Sequence, residues 1–260
     1  MSEALEGFTA TTFAHNGDSK TVYRAGTGPG IVVMSEMPGI TPNVAAFGRR
    51  LVDADFTIAM PTLFGTPGRD VSVPYILESF TRGCVSREFT TWALNRTSPV
   101  IDWLRALARD LHSQCGGPGV GAIGMCFTGG FALAMAVDDE MTAPVLSQPS
   151  LPMPLGNERK RALGLSDDDL ARVAAREDLC VLAMRFTGDR AVPRERFEHL
   201  REVLGDRVIT VEIDSSAENA HGIPRMAHSV VTEHLVDEPG HPTRDALDQV
   251  LAFFKERLAG

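Results

Sequence analysis

The chain has 260 residues, 43% of them hydrophobic and 23% charged, with a formal net charge of −9. This is the composition of an ordinary globular α/β domain rather than of a disordered, fibrous or disulfide-stapled chain. The charge is acidic and the only basic run is the short Arg159-Lys160-Arg161, so nucleic acid is not an expected partner. No apolar run reaches the roughly 18 residues of a spanning helix, and the acidic start around Glu3 and Glu6 is unlike a secretory signal. The four cysteines (Cys84, Cys115, Cys126, Cys180) show no metal-ligand spacing. The expectation is a cytoplasmic protein with free thiols, no bound metal and no membrane contact. No feature of the sequence fixes an oligomeric state.

Residues 10–13 and 21–24 read as an antiparallel pair, 30–34 as a buried strand, 42–53 as a helix and 56–60 as a strand closed by Pro61. Residues 65–94 are rich in Gly, Pro, Arg and aromatics and are expected to make a lid-like excursion over the sheet edge, at about 65–95. Val100, Leu104, Leu107 and Leu111 form one helical stripe within 98–112, opened by Ser98-Pro99 as cap and first turn. Then follow a strand at 120–125, a small-residue helix at 130–137, a strand at 143–146 and a Pro-rich loop at 149–164. A helix at 166–176 is capped by Ser166, with a strand at 179–186, a helix at 194–204 and a strand at 207–213. The last helix, 243–258, is expected to be capped by Thr243, with Leu247, Val250, Leu251 and Phe254 facing inward. Strands alternating with helices predict a single α/β domain over 1–260, with a mostly parallel central sheet and helices on both faces. Sites in such sheets lie at the carboxyl ends of the strands.

One segment carries more chemistry than the rest. Between the strand at 120–125 and its following helix stands Gly124-Met125-Cys126-Phe127-Thr128-Gly129-Gly130. This is the pattern of a sharp strand-to-helix turn, the nucleophile elbow, with a thiol in place of the usual hydroxyl. Glycines are needed where a Cβ would strike the neighbouring backbone, and backbone N–H groups opening the helix favour a thiolate and any oxyanion formed beside it.

With three further stretches, this elbow resembles the dienelactone hydrolase family, a branch of the α/β-hydrolase fold. The similarity runs over roughly residues 20–258. Ile31-Val32-Val33-Met34-Ser35-Glu36-Met37-Pro38-Gly39-Ile40 is like the family's strand ending in a glutamate. Phe56 through Gly65 is like its Pro-Asp-Leu-Phe strand end, with Thr62 in place of Asp. Phe186-Thr187-Gly188-Asp189-Arg190-Ala191-Val192-Pro193 is like its Gly-x-x-Asp-x-x-Val-Pro segment. Thr128 stands where the family usually has Gly, and a β-branched residue there is expected to shift the turn or bring a hydroxyl near the thiol.

The resemblance implies a hydrolase of esters or lactones, carboxymethylenebutenolidase-like, acting on a small-molecule substrate without a cofactor. It implies Cys126 as nucleophile and Asp189 as the residue that orients a histidine. Two histidines follow the last strand: His228 resembles the family's Gly-His-Ser-Phe segment, and His221, closer to Asp189, is the alternative. His234 and His241 are expected at the surface or at the start of a helix. The resemblance gives Glu36 a part in switching thiol to thiolate, and gives the N–H groups of Met37 and Phe127 to the oxyanion hole. Family members acting on dienelactone hold its carboxylate with arginines. One of those positions is Thr232 here, and Arg82, Arg87 and Arg96 are the nearby candidates for another. Phe80, Phe89 and Trp92 are candidates for an acyl pocket. Two other readings of the same residues remain open: a hydrolase-fold small-molecule binding module without turnover, and a cysteine-dependent amidotransferase-like enzyme, although Glu233-His234 runs in the wrong order for the latter's His-x-Glu.

Overall fold

The computed structural model describes residues 2–85 and 98–259, the segment 80–85 by its backbone alone. Among these residues an eight-stranded sheet is built from β1 (Thr9–His15), β2 (Asp18–Ala25), β3 (Gly30–Met34), β4 (Thr57–Pro61), β5 (Val120–Met125), β6 (Met141–Ser147), β7 (Val181–Phe186) and β8 (Val208–Ile213), in the order β1-β2-β4-β3-β5-β6-β7-β8. The pairings β1–β2 and β2–β4 are antiparallel, and every pairing from β4 to β8 is parallel. The central strands β3, β5 and β7 are buried at every position, as strands with neighbours on both edges and cover on both faces must be.

The two cores follow from the period-2 alternation of those strands. Val32 and Met34 of β3 face the side covered by α3 (Pro99–Cys115), α4 (Phe131–Met135) and α7 (Arg194–Leu204). Ile31 and Val33 face the side covered by α1 (Pro42–Asp53) and α8 (Pro242–Leu258). Helix α1 starts where Thr41 Oγ1 accepts from the Val44 N–H at 3.2 Å, with Pro42 in its first turn. Its Gly48 lets β4 come close: a Cβ there would lie 2.9 Å from Ile58 Cδ1. In α8, Phe254 is fully buried and packs where Gly121 of β5 leaves room, a Cβ at 121 lying only 2.7 Å from its ring.

Several expectations are revised. The first hairpin is longer than its apolar kernels, because strand pairing extends through Lys20 and His15. The excursion after residue 65 contains a helix, α2 (Val73–Val85), while residues 86–97 lie outside the described residues. The Pro-rich loop holds the short helix α5 (Asn157–Arg161), followed by α6 (Asp167–Ala175), which Ser166 caps by accepting from the Asp169 N–H at 3.2 Å. Ser98 stands at the N-cap of α3, yet its buried hydroxyl has no hydrogen-bond partner among the described residues. In α8 the cap is His241, whose ring nitrogen accepts from the Thr243 N–H, while the Thr243 hydroxyl is buried and accepts from the Val236 N–H at 3.0 Å. Among the described residues no helix is long and apolar enough to cross a membrane.

Phe254→Ala is expected to lower unfolding free energy by about 3–5 kcal/mol, since the cavity opens against a strand that cannot follow it. Urea denaturation of the two proteins checks this.

Candidate active site

β5 ends at Met125, and the chain turns at once through a single 3-10 turn, Cys126–Thr128. Cys126 sits at φ +54°, in the left-handed region a non-glycine residue rarely adopts. Close approach explains the glycines: a Cβ on Gly124 would lie 2.0 Å from the Thr128 carbonyl oxygen, and one on Gly129 2.5 Å from Pro149 Cα. Thr128 does not bring its hydroxyl to the thiol. It is fully buried, accepts from the Met125 N–H at 2.9 Å and donates to the Met34 carbonyl at 3.0 Å, so it ties the elbow to the end of β3. Its side chain stabilises the turn in which its bulk was expected to interfere. The helix α4 is only five residues long, so its dipole is weak, and the sulfur's surroundings are set mainly by side chains.

The sulfur faces a cleft of about 410 Å³ lined by Cys126, Phe127, Ser150, Met153, Asp189, Arg190, Met226 and His228, among others. Asp189 follows β7. It is buried, and its carboxylate accepts from His228 Nδ1 at 2.6 Å and from the Ala191 N–H at 2.9 Å. Because Nδ1 is engaged by Asp189, Nε2 is the nitrogen left for the sulfur. Burial pulls the His228 imidazole toward neutrality, but the Cys126 charge, the Asp189 hydrogen bond and the contact with the sulfur outweigh it and hold the ring well above the ordinary 6.5. His221 stands elsewhere: exposed, edge-on to His241 with ring centroids 5.3 Å apart, in a separate 240 Å³ hollow. The structure therefore brings Cys126, Asp189 and His228 together and leaves the alternative His221 out.

Behind His228 a second layer of polar groups holds the histidine loop. His234, expected at the surface, is half-buried, and its Nδ1 accepts from the Ser229 N–H at 3.2 Å and the His228 N–H at 3.4 Å. Burial and the neighbouring imidazole push it below the usual histidine range, which suits an acceptor nitrogen. Glu36, at the end of β3, is 2% exposed. Its carboxylate accepts from the Ser229 and Thr232 hydroxyls and from Gln148 Nε2 at 3.2 Å. Those partners, rather than Cys126, are the ones it holds. Burial pushes the Glu36 carboxyl above the ordinary carboxylate range, against the two hydroxyls and the His228 charge, which pull it down. Thr232 thus occupies the expected arginine position with a hydroxyl turned to Glu36.

Of the two residues expected to give oxyanion donors, Phe127 lies within the Cys126–Thr128 turn and lines the cleft, and Met37 follows the end of β3. Of the arginine candidates, Arg82 lies on α2 with its side chain undescribed, and Arg87 and Arg96 lie outside the described residues, as do Phe89 and Trp92 and the side chain of Phe80. The arginine on the cleft wall is instead Arg190. Among the described residues no cluster of three or more His, Cys, Asp or Glu could hold a metal ion.

A cysteine elbow at the carboxyl edge of a mostly parallel sheet, with an Asp-linked histidine in the same cleft, is the layout of an α/β-hydrolase. The dienelactone hydrolase family profile matches residues 19–258, and the chain belongs to that family. Comparison with curated proteins by sequence gives no match. Among solved structures, the chain is similar to a protein of Klebsiella pneumoniae provisionally assigned as a dienelactone hydrolase (TM-score 0.66, 16% identity, 96% of this chain and 98% of that one). It is also similar to a dienelactone hydrolase-like promiscuous phosphotriesterase from metagenomic libraries (0.64, 18%, 97% and 100%). A third is a serine hydrolase of Xanthomonas campestris described as having no lid (0.56, 12%, 98% and 97%). At these identities the likeness is one of fold.

Two outcomes follow from this geometry. A histidine whose folded value is raised stabilises the fold fully below about pH 6.5, its unfolded value. That contribution is lost as pH rises through the higher folded value. Asp189→Asn should lower the His228 midpoint toward 6.5, measured by NMR of the ring, and should flatten the decline of stability above neutral pH. Thr128→Val, which strands the buried Met125 N–H, should cost about 1–3 kcal/mol by chemical denaturation.

Proposed function

We propose that the protein hydrolyses ester or lactone bonds with Cys126 as nucleophile, His228 as acid and base, and Asp189 as the residue that fixes the imidazole. The observation that carries this reading is the 2.6 Å contact of His228 Nδ1 with Asp189, with His228 and Cys126 on one cleft. His228 Nε2 takes the thiol proton. The thiolate attacks the substrate carbonyl, and the oxyanion forms toward the N–H groups of Phe127 and Met37. Collapse breaks the ester C–O bond, and the departing alkoxide takes the proton from Nε2. The neutral imidazole then removes a proton from water, the hydroxide attacks the thioester carbonyl, and collapse releases the acid and restores the thiolate–imidazolium pair.

The walls of the cleft favour particular esters. Phe127, Met153, Ala191 and Met226 are apolar, and Thr232 supplies no charge for a substrate carboxylate. Apolar groups beside the carbonyl fit this lining, and Arg190 is the cationic side chain on the cleft wall, among the described residues, for any negative charge on the substrate. The free thiols Cys115, Cys126 and Cys180 fit a reducing, cytoplasmic setting.

Cys126→Ala should abolish hydrolysis of a p-nitrophenyl ester, lowering kcat by a factor on the order of 10³ or more. A variant that keeps a substantial share of the wild-type rate would exclude Cys126 as nucleophile.

A further inference from the structure

Ser150 is not part of the triad, yet its hydroxyl lies 3.4 Å from Cys126 Sγ. Among the described residues the sulfur is that hydroxyl's one hydrogen-bond partner, and Ser150 is only 4% exposed. Its backbone is fixed to the same residue, the Ser150 N–H donating to the Cys126 carbonyl at 3.0 Å. The loop carrying it is pinned from below by Arg196. That guanidinium is buried and donates to the carbonyls of Pro149 and Pro152, both at 2.6 Å, and of Arg159 at 3.0 Å. Burial lowers Arg196 to about 10, which still leaves it charged at neutral pH and able to hold all three acceptors. Gly129 brings the elbow against Pro149 from the other side. The hydroxyl is thereby held beside the sulfur by contacts on both flanks of its loop.

We propose that Ser150 is a catalytic residue whose hydroxyl donates a hydrogen bond to the Cys126 thiolate, stabilising the nucleophile once its proton has passed to His228. The inference rests on Cys126 being the nucleophile. A thiolate carries no proton, so in that state the hydroxyl is necessarily the donor and the sulfur the acceptor. Among the described residues the charged and titratable groups facing the sulfur are His228 and Asp189 from their loops and Arg190 on the cleft wall, with Glu36 and His234 behind the imidazole. Ser150 carries no charge, so its removal changes one hydrogen bond without changing that set. A hydrogen bond to an ionised group is among the stronger neutral–charged contacts.

The test is alkylation of Cys126 by iodoacetamide as a function of pH, followed at the Cys126 peptide by mass spectrometry, alongside the pH profile of kcat/KM. Ser150→Ala should move the alkylation midpoint upward by about one pH unit and slow alkylation about tenfold on the acid side of it. The same displacement should appear in the acid limb of kcat/KM. Ser150→Thr keeps the hydroxyl and should follow wild type, whereas the near-isosteric Ser150→Val should follow Ser150→Ala. A wild-type midpoint in Ser150→Ala, or equal shifts in the Thr and Val variants, would overturn the role of the hydroxyl while leaving the nucleophile in place. Ester hydrolysis retained by Cys126→Ala would overturn the nucleophile reading and the role of Ser150 with it.

Discussion

Everything at this site depends on how closely the chain passes itself between residues 124 and 129. A strand must end, reverse and enter a helix within a few residues, and the geometry leaves room for no Cβ at Gly124 or Gly129. Cys126 takes the left-handed conformation as a consequence. Such a conformation costs on the order of 1–3 kcal/mol and persists only where its surroundings over-determine it. Here they do so through the buried Thr128 hydroxyl, which bonds both sides of the turn, and through the Ser150 N–H, which bonds the Cys126 carbonyl. The parallel pairing of β5 with β3 and β6 does the rest, because it delivers the ends of those two strands, with Glu36 and Gln148, to the same edge.

The histidine depends on a different kind of support. From the end of β8 to the start of α8 the chain forms neither helix nor strand, so its backbone polar groups must find other partners. Asn219 closes one turn, its side chain accepting from the Ile223 N–H and donating to the Ile223 carbonyl, both at 2.8 Å. His234 receives the N–H groups of residues 228 and 229. Glu36 takes the hydroxyls of Ser229 and Thr232, and Glu233 takes Thr41 and Asn43 at the start of α1. The imidazole is therefore referenced to α1 and to the ends of β3 and β6, the last two being strands that also flank the elbow. Side-chain hydrogen bonds do here what a ladder does elsewhere, and a buried carboxylate is kept at the centre despite the desolvation it suffers.

This division explains what could be read from the sequence. The elbow and the strand–helix alternation rest on short-range patterns, glycine spacing and apolar runs, whereas Asp189 and the preference for His228 over His221 rest on the likeness of their short segments to those of the family. Those patterns are local, so they are visible in one dimension. Ser150, Arg196 and His234 were not singled out because nothing nearby marks them. Each acquires its role from a partner dozens of residues away or from a loop without periodicity. Thr128 is instructive in the opposite sense. Its β-branched bulk is a local fact, but its hydroxyl's acceptors on β3 are not, and the second outweighs the first. The cap of α8 shifted for a comparable reason: Thr243 is a good cap by propensity, yet its hydroxyl is occupied by Val236, which leaves the position to His241.

The arginines near the site bear on what the cleft can recognise. Arg185 on β7 is buried and bonds Glu212 and the Val192 carbonyl, bracing the loop that carries Asp189. Arg196 is occupied by three carbonyls under the Ser150 loop. Each is in place before any substrate arrives, and withdrawing either would strand buried acceptors at about 1–3 kcal/mol apiece. Neither is free to clamp a carboxylate. Among the described residues that leaves Arg190 as the cationic side chain lining the cleft, beside walls made largely of Phe, Met and Ala. In such a site the two buried arginines organise the loops from behind, and on the proposed reading a substrate is met by the apolar walls and by Arg190.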